Sequence, residues 1–280
     1  MIADAPARAR RARPPVGTVL ALGWLAIVTL SALLAPVLPL EPNRGDLRDR
    51  YTGLTLEHPF GTDGNGRDLF ARVIFGSRVA LLVGVVAVLI GAVLGALLGT
   101  VAGYARGAVD RVISTLFDAV LAFPALVLAT ALVASRGRSV TNVVLVIGLV
   151  SVPLFGRVAR SATLSVAERD FVAAARTFGA RGRQVVVGEI LPLVAGPVAV
   201  YAVLATGIVI QVEGALSFLE VGVPRRTVSW GSLIAAGRSQ LRPHPEVSLI
   251  PTAVLCLTVF ALAVVGERLR KRHGWVALVN

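Results

Sequence analysis

Six stretches of this 280-residue sequence are apolar over the length of a membrane crossing, and that feature limits the fold more than any other. A hydrocarbon layer of ~30 Å takes about 20 apolar residues of helix. The stretches run over residues 16–40, 79–104, 112–134, 140–158, 193–214 and 248–266. Inside lipid only helices and closed barrels satisfy their own backbone hydrogen bonds. Barrel strands would alternate apolar and polar residues, and these stretches do not. The expectation is an all-α integral membrane protein with six transmembrane helices. Only 16% of residues are charged, against roughly 25% in a soluble domain, so a water-filled exterior over most of the surface is excluded.

The stretches divide the chain into a basic cytoplasmic N-terminal tail (1–15), a first anchor helix (16–40), an extracytoplasmic loop (41–78), a core of five transmembrane helices (79–268) and a cytoplasmic C-terminal tail (269–280). Within the core, 160–192 forms a cytoplasmic loop and 215–247 an extracytoplasmic one. Arg8, Arg10, Arg11 and Arg13 precede the first stretch, as they would in a signal peptide. The apolar run is longer than a signal core, however, and Pro36 and Pro39 stand where a small-residue cleavage site would fall, so an uncleaved anchor is expected. The net charge is +12. Its arginines lie between apolar blocks rather than in one stripe with aromatics, which argues against a nucleic-acid partner. Arg268, Arg270, Lys271 and Arg272 close the last stretch, and the positive-inside bias places both termini in the cytoplasm.

Polar and small residues inside the stretches carry the next layer of information. Gly84, Gly91, Gly95, Gly99 and Gly103 share spacing that lets a neighbouring helix approach closely. Asp118 and Glu213, with Gln211 nearby, are costly in a bilayer. They either face a polar cavity on a translocation path or make satisfied contacts between helices. Pro124 removes a backbone donor and kinks the third stretch near the membrane middle. Cys256, the single cysteine, allows neither an internal disulfide nor a cysteine-built metal site. The segment DGNGRD, from Asp63 to Asp68, puts Asp63 and Asn65 at calcium-loop positions, but Arg67, Asp68 and Ile74 occupy positions that need other residues. A tight glycine-bearing turn is expected there instead.

Residues 160–194 are polar between two crossings. A helix is expected over 165–178, with Val166, Phe171, Ala174, Ala175 and Phe178 on an apolar face and Gly179 as the terminating residue. A second helix would lead to Pro192. Such a protrusion either lies on the lipid surface or docks a soluble partner.

Residues 170–180, DFVAAARTFGA, and 189–193, EILPL, resemble the coupling loop of ATP-binding-cassette (ABC) importer permeases, most closely those for dipeptides, oligopeptides and nickel. That loop commonly reads D-Y-V-E-A-A-R-A-L-G-A with a later H-I-L-P-N. The resemblance assigns Asp170, Phe171, Ala174, Ala175, Arg176, Gly179 and Pro192 to ATPase coupling. Ala173, Glu189 and Leu193 depart from the usual Glu, His and Asn, which leaves the polar contacts of docking weaker or rearranged. Residues 58–68, HPFGTDGNGRD, resemble an extracytoplasmic motif of the same proteins through His58, Pro59, Gly61, Thr62, Asp63, Gly66, Arg67 and Asp68, followed by a G-x-R at Gly76 and Arg78. Residues 213–231, EGALSFLEVGVPRRTVSWG, are similar to their E-A-S-L-S-F-L-G-L-G and tryptophan-glycine pair, with Glu220 for a glycine. Residues 266–270, GERLR, are similar to G-D-x-L-R.

The resemblance implies a type I ABC importer permease fold in a bacterial cytoplasmic membrane, and a pore-forming transport subunit rather than an enzyme. Asp118, Pro124, Gln211 and Glu213 would be candidates for the translocation path. No cofactor is expected on this chain, which lacks a GxxxxGK[ST] phosphate loop. ATP and magnesium would be held by two cytoplasmic ATPase subunits, or by one used twice. A second homologous permease would complete the pore, an extracytoplasmic binding protein would deliver solute, and lipid would surround the whole. Short peptides are the expected cargo, with nickel or another small solute as the alternative. A secondary transporter would show interrupted helices repeated in two halves, and none are visible. A membrane-embedded enzyme would cluster catalytic groups at depth, whereas His58, His244 and His273 all fall in polar segments.

Overall fold

The computed structural model describes residues 15–272. Residues 1–14 and 273–280, among them Arg8, Arg10, Arg11, Arg13 and His273, lie outside the described residues, whereas residues 269–272 of the expected C-terminal tail continue the last helix. Ten α-helices follow in order: α1 (Val16–Leu34), α2 (Leu69–Ala105), α3 (Gly107–Leu121), α4 (Ala125–Arg136), α5 (Val140–Ala167), α6 (Asp170–Thr177), α7 (Gly182–Val185), α8 (Leu191–Phe218), α9 (Trp230–Gly237) and α10 (Glu246–Arg272). Among the described residues the only β-type pairings are two isolated bridges, Gly45 with Arg67 and Thr62 with Asp68.

Helices α1, α2, α5, α8 and α10 are each long and apolar enough to cross a membrane, whereas α3 and α4 meet the same test only as a pair bent by 83°. The pair nonetheless traverses the bundle. Arg160 on α5 holds Asp110 in the first turn of α3 at 2.7 Å, and Asn142 near the other end of α5 donates to the Arg136 carbonyl that closes α4 at 2.9 Å. From Asn142 to Arg160 is roughly 27 Å of helix, close to the ~30 Å of a hydrocarbon layer. The third expected crossing is therefore a broken one. The chain stops being helical after Leu121 and starts again at Ala125, with Pro124 in a non-helical conformation (ψ 121°) before α4. This is a corner, not the mild kink expected from a proline alone.

Several helices outrun their apolar stretches. Helix α2 starts ten residues before 79 because Asp68 caps it, accepting from Phe70 and Ala71 backbone amides at 3.2 Å. Helix α5 continues past 158 to Ala167, since Arg157 and Arg160 find carboxylate partners on α3. Helix α1 is shorter than its stretch. Pro36 has no amide to donate, and the chain turns after Leu34.

The crossings form layers: α1 and α10 on one side, α2 and α8 in the middle, then α5, with α3 and α4 beyond it. Glycine determines the tightest contact. A Cβ on Gly95 would lie 2.6 Å from the Val152 carbonyl oxygen, one on Gly91 would lie 2.9 Å from Ser151 Cβ, and one on Gly99 would overlap the Gly156 carbonyl. Helices α2 and α5 thus touch backbone to backbone, the small-residue packing expected from the glycine spacing. Gly84 turns instead to Ile210 and Thr206 of α8. On the far side, Trp24 donates to Thr258 at 3.1 Å, joining α1 to α10.

Candidate functional site

Two regions stand out, one at each end of the bundle. At the first end, α5 stops at Ala167, two residues intervene, and α6 and α7 form a hairpin that returns the chain to α8. Gly179 ends α6 with φ +85°. Its amide bonds the Arg176 carbonyl and that of Ala180 bonds Ala175, both at 3.0 Å, the double closure expected of a glycine past a helix end. A π-helical turn, Val186–Ile190, leads into Pro192 near the start of α8.

The hairpin does not bury the face expected from sequence. Val166 belongs to α5, and the α6 residue that packs into the core is Val172, fully buried in one cluster with Val166, Val185 and Ile190. Phe171 is 38% exposed and Phe178 90% exposed. The break at Glu168 and Arg169 resets the helical phase, so periodicity counted from Ser165 points at the wrong side of α6. Asp170, Ala174 and Gly179 are exposed with the phenylalanines, and Ala175 is half-buried. The hairpin is pinned to the end of α2: the Arg176 guanidinium sits 5.0 Å over the Tyr104 ring, and Arg106 pairs with Glu168 at 2.9 Å. Among the departures from the usual coupling loop, Ala173 and Glu189 are exposed on the hairpin, while Leu193 is half-buried at the root of α8.

At the opposite end, residues 41–68 fold into a compact loop. The Asp63 carboxylate accepts from the Asn65 and Arg67 amides at 2.8 and 3.0 Å and faces Arg72 at 3.5 Å with both side chains nearly buried. Its oxygens thus organise a turn. Gly61 and Gly66 both take positive φ, and a Cβ on Gly66 would collide with the Asp46 carbonyl, so these two positions require glycine. Thr62 accepts from the Thr52 amide at 2.9 Å and bonds the Asp49 carbonyl. Asp68 caps α2, with His58 3.6 Å from it. Pro59 sits between His58 and Phe60, whose ring meets that of Phe70 edge-on at 5.2 Å. The loop is latched to the rest of this end by Tyr51 stacked on His244 at 4.2 Å and by Asn43 donating to the Arg226 carbonyl at 3.1 Å. Helix α9 plugs the centre. Trp230, fully buried, donates to the Val73 carbonyl at 3.0 Å, and its indole fills the space that a side chain on Gly76 would take. The G-x-R and tryptophan-glycine motifs are two halves of one socket.

Between the ends, the polar residues separate. Asp118 accepts from Arg157 at 2.6 Å, and both side chains are more than half exposed. Phe117 beside it is buried against Gly156. Gln211 and Pro124 are exposed. Glu213 is 0% exposed, with Oε1 accepting from Ser217 at 2.7 Å beneath α9. In this structure Glu213 makes an internal contact, and its second carboxylate oxygen is buried without a hydrogen-bond partner among the described residues. Sequence reasoning missed Arg157, Arg160, Val172 and Trp230 as organising residues. For the arginines a signal existed: they lie three apart, on one face if the fourth helix runs past 158.

A six-crossing helical bundle with a protruding helical hairpin at one end and a loop-built cap at the other is the architecture of a multi-pass membrane permease. Residues 91–273, nearly two thirds of the chain, match the family model for the binding-protein-dependent transport system inner membrane component. The dipeptide transport system permease protein DppC of Alkalihalophilus pseudofirmus is 35% identical over 255 residues, covering 91% of this chain and 83% of that protein. The glutathione transport system permease protein GsiD of Shigella dysenteriae is 37% identical over 228 residues, covering 81% of this chain and 75% of that protein. Its Escherichia coli counterpart is 36% identical over the same length. The chain belongs to this family and is a permease subunit of an ABC importer with the type I fold. It is a transport subunit, of a kind that works with ATPase and binding-protein partners.

Proposed function

We propose that this chain forms half of the pore of a short-peptide importer and is driven by two cytoplasmic ATPase subunits docked on α6 and α7. The observation that carries this reading is the outward display of Phe171 and Phe178 on a hairpin whose own core contact is Val172. Exposed aromatic side chains on a pinned, rigid peg are the anchors a soluble partner buries. Magnesium and ATP would be bound by that partner. Peptide as cargo is supported by the relatives, whose names specify dipeptide and glutathione transport. A second, homologous permease would complete the pore, both termini would face the cytoplasm with the hairpin, and the α9 end would receive the solute-binding protein. Arg225, Arg238 and Arg242 are exposed there, although Arg225 is shared with Glu220 at 3.5 Å.

The test is affinity purification from native membranes, comparing the natural chain with Gly179→Asp. Position 179 has open space around it, so the variant acts through its left-handed φ, at about 1–2 kcal/mol, and through a negative charge at the C-terminal end of α6, which the helix dipole disfavours. The natural chain should bring down a second permease and ATPase subunits. The variant should keep the permease and lose the ATPases. A chain that comes alone, under conditions that preserve other membrane complexes, refutes the proposal.

A further inference from the structure

Two features on the α3, α4 and α5 side are ill suited to lipid, and they lie close together in depth. The first is the break between α3 and α4. Residues 122–127 are all exposed, and the break borders a cavity of about 80 Å³ lined by Leu121, Phe123, Ile147, Ser151 and Leu154. Gly91 and Gly95 of α2 pack on Ser151 and Val152. They lie near the middle of a run from Val79 to Ala105 that contains no charged residue. The break is therefore near the membrane midplane, where irregular backbone is tolerated only against protein or a water-filled cavity. The second feature is the Arg157–Asp118 pair, whose side chains are 54% and 65% exposed. It lies roughly 5–9 Å along α5 from the break, still within the apolar zone, where facing charges to hydrocarbon is strongly unfavourable. The α1 and α10 side differs. Both sides expose large apolar residues, Phe123 and Val127 on one and Ile27 and Phe260 on the other, but helix α1 has no charged residue and α10 has none between Val247 and Gly266.

We propose that the α3–α4 break and its neighbouring ion pair form the wet wall of the translocation path, and that Arg157 and Asp118 exchange partners with the carboxylate and ammonium ends of a passing zwitterionic peptide. The inference rests on the short-peptide reading above. An exposed ion pair contributes little to stability, so it opens readily. When it opens, it presents one cation and one anion to a solute that carries both. Arginine can meet a carboxylate through two parallel hydrogen bonds, and the released Asp118 can accept from an ammonium group.

The test uses the whole importer in liposomes, with its binding protein. Cys256, exposed on α10, is the lipid-side control in the natural chain. Ala122→Cys in a Cys256→Ser background reports on the break. With a membrane-impermeant thiol reagent, Ala122→Cys should react at least tenfold faster than Cys256. Dialanine should slow that reaction several-fold, N-acetyl-dialanine amide should not, and the slowing should vanish in Arg157→Gln. The exchanged pair Asp118→Arg with Arg157→Asp should restore it, which guards against a variant that merely misassembles. Equal rates at the two cysteines would mean that lipid or the second permease covers the face, and the wall assignment falls. Slowing that survives Arg157→Gln overturns the ion pair's role. If the unaltered importer takes up no dialanine at all, the peptide reading fails and the zwitterion assignment with it, while fast labelling of Ala122→Cys still upholds the wet wall.

Discussion

Replacing Gly99 by alanine adds one methyl group to a helix interior, a change that ordinarily stabilises by roughly 0.5–1 kcal/mol. Here the sign should reverse. The new Cβ would overlap the Gly156 carbonyl oxygen and lie 2.9 Å from its carbon and 3.0 Å from the Ala159 Cβ. Two of these three atoms are backbone, so no side chain can swing aside, and α2 must separate from α5 along a seam that also contains Gly91, Gly95 and Gly103. Overpacking of this kind costs about 1–3 kcal/mol. By the scaling for chains of this size, that lowers the melting temperature by on the order of 2–12 °C. The internal reference is Gly23→Ala on α1, where a Cβ meets nothing within 4 Å and stability should hold or rise. Thermal unfolding of both variants in one detergent, followed by size-exclusion of the soluble fraction, gives the comparison. Equal melting temperatures would refute backbone contact as the reason for the glycines.

Trp230→Ala should be the most damaging single change at the α9 end. It removes a fully buried indole and its bond to Val73, at a cost of roughly 3–5 kcal/mol, to be seen as lost yield of folded protein in fluorescence-detected chromatography. On the hairpin, Val172→Ala and Phe178→Ala should behave oppositely. The first empties part of the core and should lower the melting temperature by the equivalent of about 1–3 kcal/mol. The second should leave stability within about 0.5 kcal/mol yet weaken ATPase retention several-fold in pull-downs. Equal melting losses would show that Phe178 is packed rather than displayed.

The number and order of crossings were legible because hydrocarbon thickness fixes how long an apolar run must be. The glycine seam was legible for a similar reason, since four-residue spacing on a helix already defines a face. Helix ends were less so. Arg72 and Arg78 near the start of α2, and Arg157 and Arg160 near the end of α5, look like the edges of loops until their surroundings are known. Arg72, Arg157 and Arg160 are helical side chains whose charges are met by Asp63, Asp118 and Asp110 from distant segments. The buried side of α6 was misread because two non-helical residues shift its phase. The Trp230 socket joins positions far apart in sequence, which no local pattern reveals. Glu213 illustrates a different limit: a carboxyl in an apolar run signals importance, but its neighbours alone decide whether it meets water or a serine.

Helix α2 is continuous from Leu69 to Ala105, about 55 Å at 1.5 Å per residue, and contains no proline at which to bend. One end holds the Trp230 plug and the other holds the Arg176 side of the hairpin. It is a rod fixed at both ends to opposite faces of the membrane. Tilting such a rod by 10° about one end displaces the other by roughly 10 Å, a purely geometric gain that follows from its length. The two faces of the subunit are therefore joined by one continuous helix. Under the docking proposed above, a partner that shifts α6 would have a mechanical hold on the cap at the far side without any relay of side chains between them.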